Sequence, residues 1–141
     1  MGAEQRQGGL NGLVLFLDEN HCRNPHILRA IQEHGATCEK HLDHFPPGTP
    51  DTVWLPFVGS KGWSLLTSDA RIRRNMVERE ALRTNSVRMF YFSRNQLSGS
   101  EMGEALRRAL PQIGRIVRKY TPPFTASISR NGDVTVRDTF D

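Results

Sequence analysis

The stretch that decides the fold is LVLFLDEN, residues 13–20. Its first five residues form a short apolar run, which is typical of a strand buried on both faces of a parallel sheet. Asp18 and Glu19 then end the run with charge. Asn24 and Pro25 predict the cap and the first position of a helix, and Gly35 predicts its end. The stretch therefore starts a strand–turn–helix pattern.

The same alternation of apolar runs and helical spacing continues to the carboxyl end of the chain. Strands are predicted at residues 36–42, 63–67 and 87–92, and helices at 51–58, 75–83 and 100–119. Thr49 or Asp51 is expected to cap the second helix, and Pro111 to kink or split the last one.

Two alternating segments close the chain, at residues 124–129 and 134–137. Asn131 and Gly132 between them predict a tight hairpin turn. The whole pattern predicts a three-layer α/β/α sandwich with a mostly parallel sheet and a C-terminal β-hairpin.

Length and composition set the class of protein. The 141 residues suit one domain, predicted at residues 11–141 after a flexible tail at residues 1–10. No stretch approaches the roughly 18 apolar residues of a membrane span. The opening residues MGAEQRQGG lack the apolar core of a signal peptide. We therefore expect a cytoplasmic protein without membrane contact, in which Cys22 and Cys38 are free thiols.

The charge balance favours a nucleic-acid partner. The net charge is +4, and arginine is far more frequent than lysine, which occurs only three times. Arginine suits phosphate because its planar guanidinium binds two oxygens at once. The chain contains neither G-x-x-x-x-G-K nor G-x-G-x-x-G. The sequence therefore gives no support for a protein that uses a nucleotide cofactor.

Acidic residues follow three of the predicted strands. Asp18 and Glu19 come after the first strand, Asp43 and Asp51 after the second, and Asp69 after the third. The carboxyl ends of parallel strands share one edge of a sheet, and ligands bind there. Clustered carboxylates repel one another unless a cation lies among them, and Mg²⁺ or Mn²⁺ prefers such oxygens. The alternative is that each aspartate only caps a helix or forms a turn.

A basic segment follows Asp69. Arg71, Arg73 and Arg74 are candidates to hold a phosphate backbone beside a metal, and Arg79 and Arg83 lie on the next predicted helix. The alternative is a solvated helix face.

At this point the sequence resembles the PIN-like nuclease superfamily, in particular the compact branch that includes PIN-like toxins of bacterial toxin–antitoxin systems. Four segments carry the resemblance in order: FLDEN at 16–20, PDTVWL at 50–55, LLTSDARIRR at 65–74 and PPF at 122–124. The pair formed by LDEN and T-x-D carries most of the weight.

The resemblance implies a metal-dependent ribonuclease that cleaves phosphodiester bonds of RNA with Mg²⁺ or Mn²⁺. By position, it assigns metal binding and catalysis to Asp18, Asp51 and Asp69. The family gathers three or four carboxylates, and the candidates for the fourth are Glu19, Asp43 and Glu78. A toxin implies an antitoxin protein as partner. The apolar stripe at residues 100–119 forms either core or a homodimer surface.

Three alternative hypotheses of function stay open. A zinc site draws on cysteines and histidines at loose spacing: Cys22, His26, Cys38, His41 and His44. A cysteine nucleophile would pair with His21 or His26, although neither thiol has an activating neighbour in the sequence. The main alternative is a catalytically inactive PIN-like module that binds nucleic acid or a protein partner.

Overall fold

Six strands form one sheet in the computed structural model, which describes residues 10, 12–68, 72, 75–93 and 96–140. In chain order the strands are β1 (Val14–Leu17), β2 (Thr37–Lys40), β3 (Ser64–Thr67), β4 (Arg88–Phe92), β5 (Phe124–Ile128) and β6 (Val134–Asp138). Their order across the sheet is β2-β1-β3-β4-β5-β6. The first five strands run parallel, and β6 pairs antiparallel with β5. The predicted mostly parallel sheet with a C-terminal hairpin is confirmed.

The strand order creates a switch point between β1 and β3. The chain leaves β1 for β2 on one side, and it later crosses to β3 on the other side. The connections that leave the carboxyl ends of β1 and β3 therefore diverge. A crevice opens between such connections, and it is the usual ligand position in open α/β sheets.

In the described ranges, four helices cover the two faces of the sheet: α1 (Pro25–Glu33), α2 (Asp51–Lys61), α3 (Met76–Thr84) and α4 (Gly99–Lys119). Helices α1 and α4 pack together on one face, and α2 and α3 pack together on the other. Close approach needs a glycine in each pair. A Cβ at Gly103 would lie 2.5 Å from His26 Cβ, and one at Gly59 would lie 2.0 Å from the carbonyl oxygen of Asn85. The predicted three-layer sandwich is confirmed.

Alternation along the strands divides the buried side chains between two cores. In β1, Leu15 and Leu17 face α1 and α4, whereas Phe16 faces α2 and α3. Neighbouring strands divide in the same way, with Leu66 in the first core and Leu65 in the second. Successive side chains of a strand point to opposite faces, so buried residues on both faces produce the continuous apolar runs of the sequence.

Side chains cap three of the helices as local chemistry requires. Asn24 accepts hydrogen bonds from the backbone amides of His26 and Ile27, as predicted. Asn75 does the same for Val77 and Glu78 at the start of α3. Ser98 and Glu101 form a capping box at the start of α4.

Two predictions about the helices are wrong. Neither Thr49 nor Asp51 caps α2: Pro50 occupies the cap position, Asp51 is the first helical residue, and the Thr49 hydroxyl donates to the carbonyl of Pro46 at 2.7 Å. The split predicted at Pro111 is wrong, because α4 runs unbroken through it, whereas a kink there stays a prediction. Proline removes one backbone hydrogen bond. The buried face on both sides of Pro111, with Leu110 and Ile113, keeps the helix packed on the sheet.

The second strand is shorter than predicted. Only residues 37–40 pair with β1, and residues 41–43 turn into one 3₁₀ turn, His41–Asp43. Among the described residues, no helix combines the length and apolar character needed to cross a bilayer.

Candidate functional site

Asp18 lies at the switch point, one residue beyond the end of β1. Its side chain is 7% exposed, and both carboxylate oxygens accept hydrogen bonds. The Thr67 hydroxyl, at the end of neighbouring β3, donates to Oδ2 at 2.5 Å, and the His21 amide donates to Oδ1 at 3.1 Å. These bonds fix the carboxylate between β1 and β3.

Burial raises the pKa of the Asp18 carboxyl above its ordinary value of 3.8. The electrostatic interaction with His21 opposes this shift, as do the hydrogen bonds from Thr67, His21 and Asn20. Removal from water disfavours the charged form, and the raised pKa shows that this effect outweighs the favourable partners. A cation beside the carboxylate would favour the charged form.

A cavity of about 80 Å³ opens in front of Asp18. Three acidic side chains from two parts of the chain line it: the adjacent Asp18 and Glu19 after β1, and Asp51 at the start of α2. The remaining lining residues are Asn20, His41, Thr49, Trp54, Thr67 and Ile72. We call this space the acidic cavity. Two of the three predicted catalytic residues, Asp18 and Asp51, therefore meet there.

The positions of Asp51 and Glu19 follow from their local structure. Asp51 is the acidic residue of the first turn of α2, where the helix dipole favours negative charge. Glu19 Oε1 accepts a hydrogen bond at 3.0 Å from the amide of Gly48, in the loop that leads to α2. This bond links the turn after β1 to the loop before α2.

The other predicted site residues lie elsewhere. Asp43 is exposed in the 3₁₀ turn and does not line the acidic cavity. Glu78 lies in the first turn of α3, also away from the lining. Arg83 pairs with Glu80 on the surface, and Arg79 lies 3.5 Å from a carboxylate oxygen of Asp138. The remaining predicted site residues lie outside the described part of the chain: Asp69, Arg71, Arg73 and Arg74.

The zinc candidates are distributed over both faces of the sheet. Cys22 is buried in the α1–α4 core, and Cys38 packs against that core. His41 contacts Phe16 and Trp54 in the opposite core, and His26 is exposed on α1. The five residues therefore do not gather around one point. Both thiols are free, and burial raises the pKa of Cys38 to about 11, so its reactive thiolate is scarce at neutral pH.

Two residues of the acidic cavity escaped assignment from the sequence. Thr67 precedes Asp69 in the T-x-D motif, but its bond to Asp18 depends on the pairing of β1 with β3. His41 belonged only to the loose zinc pattern. The signal that could have located it was its position two residues before Asp43, at the carboxyl end of β2.

The donor set of the acidic cavity suits a hard divalent cation. It combines carboxylate and hydroxyl oxygens with His41, whose two ring nitrogens are buried without a hydrogen-bond partner in the described part of the chain. Within the part of the chain that the structure describes, no three His, Cys, Asp or Glu side chains already form a group that could hold a metal ion. The three carboxylates therefore supply charge and oxygen donors without closing a ligand shell among themselves.

Comparison with known proteins identifies a family. The model of a family described as PIN like domain matches residues 13–94, which include β1 to β4 and every residue that lines the acidic cavity. No curated protein and no solved structure matches the chain significantly.

Proposed function

The chain belongs to the PIN-like domain family, generally a nuclease fold, and from this premise we propose that it is a metal-dependent ribonuclease. Its site would be the acidic cavity, and its substrate the phosphodiester backbone of RNA.

One observation carries the proposal: the acidic cavity brings Asp18 and Glu19, which follow β1, together with Asp51 at the start of α2, at the switch point of the sheet. Like charges brought together in a half-enclosed space destabilise a fold unless something positive binds there. Their meeting in a small cavity is easier to explain by a cation than by three unrelated caps. Indeed, the cap position of α2 is occupied by Pro50 and not by Asp51.

We assign Asp18 and Asp51, with Asp69 from outside the described residues, to hold Mg²⁺ or Mn²⁺, and Glu19 as the added carboxylate. A divalent cation in such a site lowers the pKa of water and stabilises negative charge on a phosphate. The chain's own part is to orient the carboxylates. Thr67 and the His21 amide hold Asp18, and the first turn of α2 holds Asp51. Arg71, Arg73 and Arg74 would position the RNA backbone.

We further propose that the protein acts in the cytoplasm as the toxin of a toxin–antitoxin pair. This step rests on the resemblance of the four motifs. An antitoxin would then block access to the acidic cavity. A homodimer through α4 receives less support, because the helix buries its apolar stripe in the first core.

A second candidate function is a PIN-like module that binds nucleic acid without cleaving it. The observation that favours it is the state of Asp18, whose two oxygens already accept internal hydrogen bonds and whose pKa is raised by burial. An inactive module would show RNA binding that weakens steeply with salt and does not depend on metal.

The test is cleavage of a mixed set of structured RNAs in Mg²⁺, Mn²⁺ or EDTA. We expect wild-type protein to cleave only with a metal, and Asp18→Asn and Asp69→Asn to fall to the level seen in EDTA. Asp43→Asn is the matched control, because Asp43 is an exposed aspartate near the site that does not line the cavity. It should keep wild-type activity.

Two outcomes would count against the ribonuclease. Full activity of Asp18→Asn would remove the acidic cavity as the site. No cleavage in any metal by folded protein, together with salt-sensitive RNA binding, would favour the inactive module.

A further inference from the structure

His41 is a buried imidazole whose polar atoms have no partner. It is 1% exposed, and neither ring nitrogen has a hydrogen-bond partner among the described residues. A neutral imidazole carries one donor and one acceptor, and native structures rarely leave buried polar atoms unpaired. Each such atom calls for an explanation, and an unseen water or ion is a common one.

Packing alone does not explain the choice of histidine at this position. The His41 ring lies among aromatic rings, with centroid distances of 6.1 Å to Phe16, 5.7 Å to Phe45 and 5.7 Å to Trp54. Phenylalanine would make these contacts equally well and would bury no unpaired nitrogen. The imidazole is therefore kept at a cost in stability, as polar groups at functional sites often are.

The acidic cavity supplies the missing partner. His41 lines it together with Asp18 and Asp51. Its volume of about 80 Å³ exceeds the roughly 30 Å³ that one water occupies in the liquid, and its polar walls can hold water. Hard divalent cations such as Mg²⁺ give up their water reluctantly, so they bind proteins together with part of their hydration.

Resting on the proposed cation site, we propose that His41 is a positioning residue of the acidic cavity, which takes up a hydrated divalent cation. One ring nitrogen accepts a hydrogen bond from a water held between the imidazole and the cation. The carboxylates supply the charge, and His41 fixes the water that fills the rest of the cavity. This arrangement satisfies a buried nitrogen and explains why the described carboxylates need not close a ligand shell by themselves.

The test compares cation binding in four full-length proteins: wild type, His41→Phe, His41→Gln and His44→Phe. His44→Phe is the matched control, because His44 also contacts Phe16 and belongs to the same group of rings. However, it is exposed, pairs with Glu39 at 2.9 Å and does not line the acidic cavity. Binding of Mn²⁺ and Mg²⁺ is measured by calorimetry, and melting temperature is measured with EDTA and with each cation.

We expect His41→Phe to bind both cations about 10–100-fold more weakly, the usual effect of losing a hydrogen-bonding partner around a metal site. In EDTA its melting temperature should equal or exceed that of wild type, because an unpaired buried polar group has been removed. His41→Gln keeps an acceptor and should recover part of the affinity. His44→Phe should bind as wild type does.

The outcomes separate the two proposals. Wild-type affinity in His41→Phe would overturn the role of His41 and leave the cation site standing. A lower melting temperature of His41→Phe in EDTA, with unchanged affinity, would assign His41 to packing alone. Absence of cation binding by wild type would overturn the cation site itself, and the role of His41 with it.

Discussion

The two faces of the sheet bury different types of side chain. The α1–α4 face has a core of aliphatic side chains and phenylalanines, and both of its helices start with side-chain caps, Asn24 and Ser98. The α2–α3 face packs tryptophans and imidazoles around Phe16, and α2 starts without a side-chain cap. The acidic cavity opens on this second face.

The difference shows where the molecule gives up stability. The first face caps the starts of both its helices and buries mainly apolar groups, which favours stability. Its described exception is His21, whose Nε2 is buried beside Phe92 without a hydrogen-bond partner among the described residues. The second face buries Asp18 with a raised pKa and His41 with unpaired nitrogens. Local violations of this kind concentrate at functional sites. The first face therefore acts as the support, and the second carries the chemistry.

The largest expected effect comes from truncating a leucine in each core. Leu106 on α4 and Leu55 on α2 are both fully buried, so Leu106→Ala and Leu55→Ala should each lower the free energy of unfolding by about 2–5 kcal/mol, measured in urea. Cation affinity should separate them. Leu55 lies one turn after Asp51, so its loss should weaken binding, whereas Leu106→Ala should bind as wild type. Equal weakening in both variants would contradict the division between support and site.

Intermediate effects are expected at the two asparagine caps. Asn24→Ala and Asn75→Ala each remove a side chain that accepts from two backbone amides, which typically costs about 1 kcal/mol. Asn24 also donates from Nδ2 to the carbonyl of Gly99 at 3.2 Å and so links α1 to α4. The loss in urea denaturation should therefore be greater for Asn24→Ala. A greater loss of stability for Asn75→Ala would mean that the cap on the first face does not contribute more to stability than the cap on the second face.

The smallest expected effect is a gain in the stability of the fold on replacing Asp18 by asparagine. It tests whether burying the Asp18 carboxylate on the second face destabilises the protein. The pKa of Asp18 is raised in the folded protein, so the folded state holds this proton to higher pH than the unfolded chain does. The contribution of Asp18 to stability therefore falls as the pH rises from the ordinary value of 3.8 through the raised value. In EDTA at pH 7, Asp18→Asn should be at least as stable as wild type.

This gain should vanish at acidic pH. Asparagine can still accept from the His21 amide, and the Thr67 hydroxyl can reverse its role and accept from the new amide. Thermal unfolding of both proteins from pH 3 to pH 8 measures the effect. A variant that is less stable than wild type at pH 7 would show that the Asp18 carboxylate contributes more through its hydrogen bonds than its burial costs.

Much of the fold could be predicted from the sequence because it depends on local patterns. Continuous apolar runs such as residues 13–17 occur where a strand is buried on both faces, and Asn24 before Pro25 marks a helix start wherever it stands. The predictions that failed concern positions where local conformational preference competes with tertiary packing. Pro111 breaks an isolated helix, but in α4 the buried stripe on both sides of it holds the helix together.

The candidate site divides in the same way. The sequence by itself determined that Asp18 follows a buried strand and that Asp51 stands where a helix starts, because each position depends on its neighbours in the chain. Only the tertiary structure decided that they meet, since β1 lies between β2 and β3 and every side chain around the acidic cavity is brought there by pairing or packing. The same packing buried His41 and left its nitrogens without partners, a fact that no spacing in the sequence encodes.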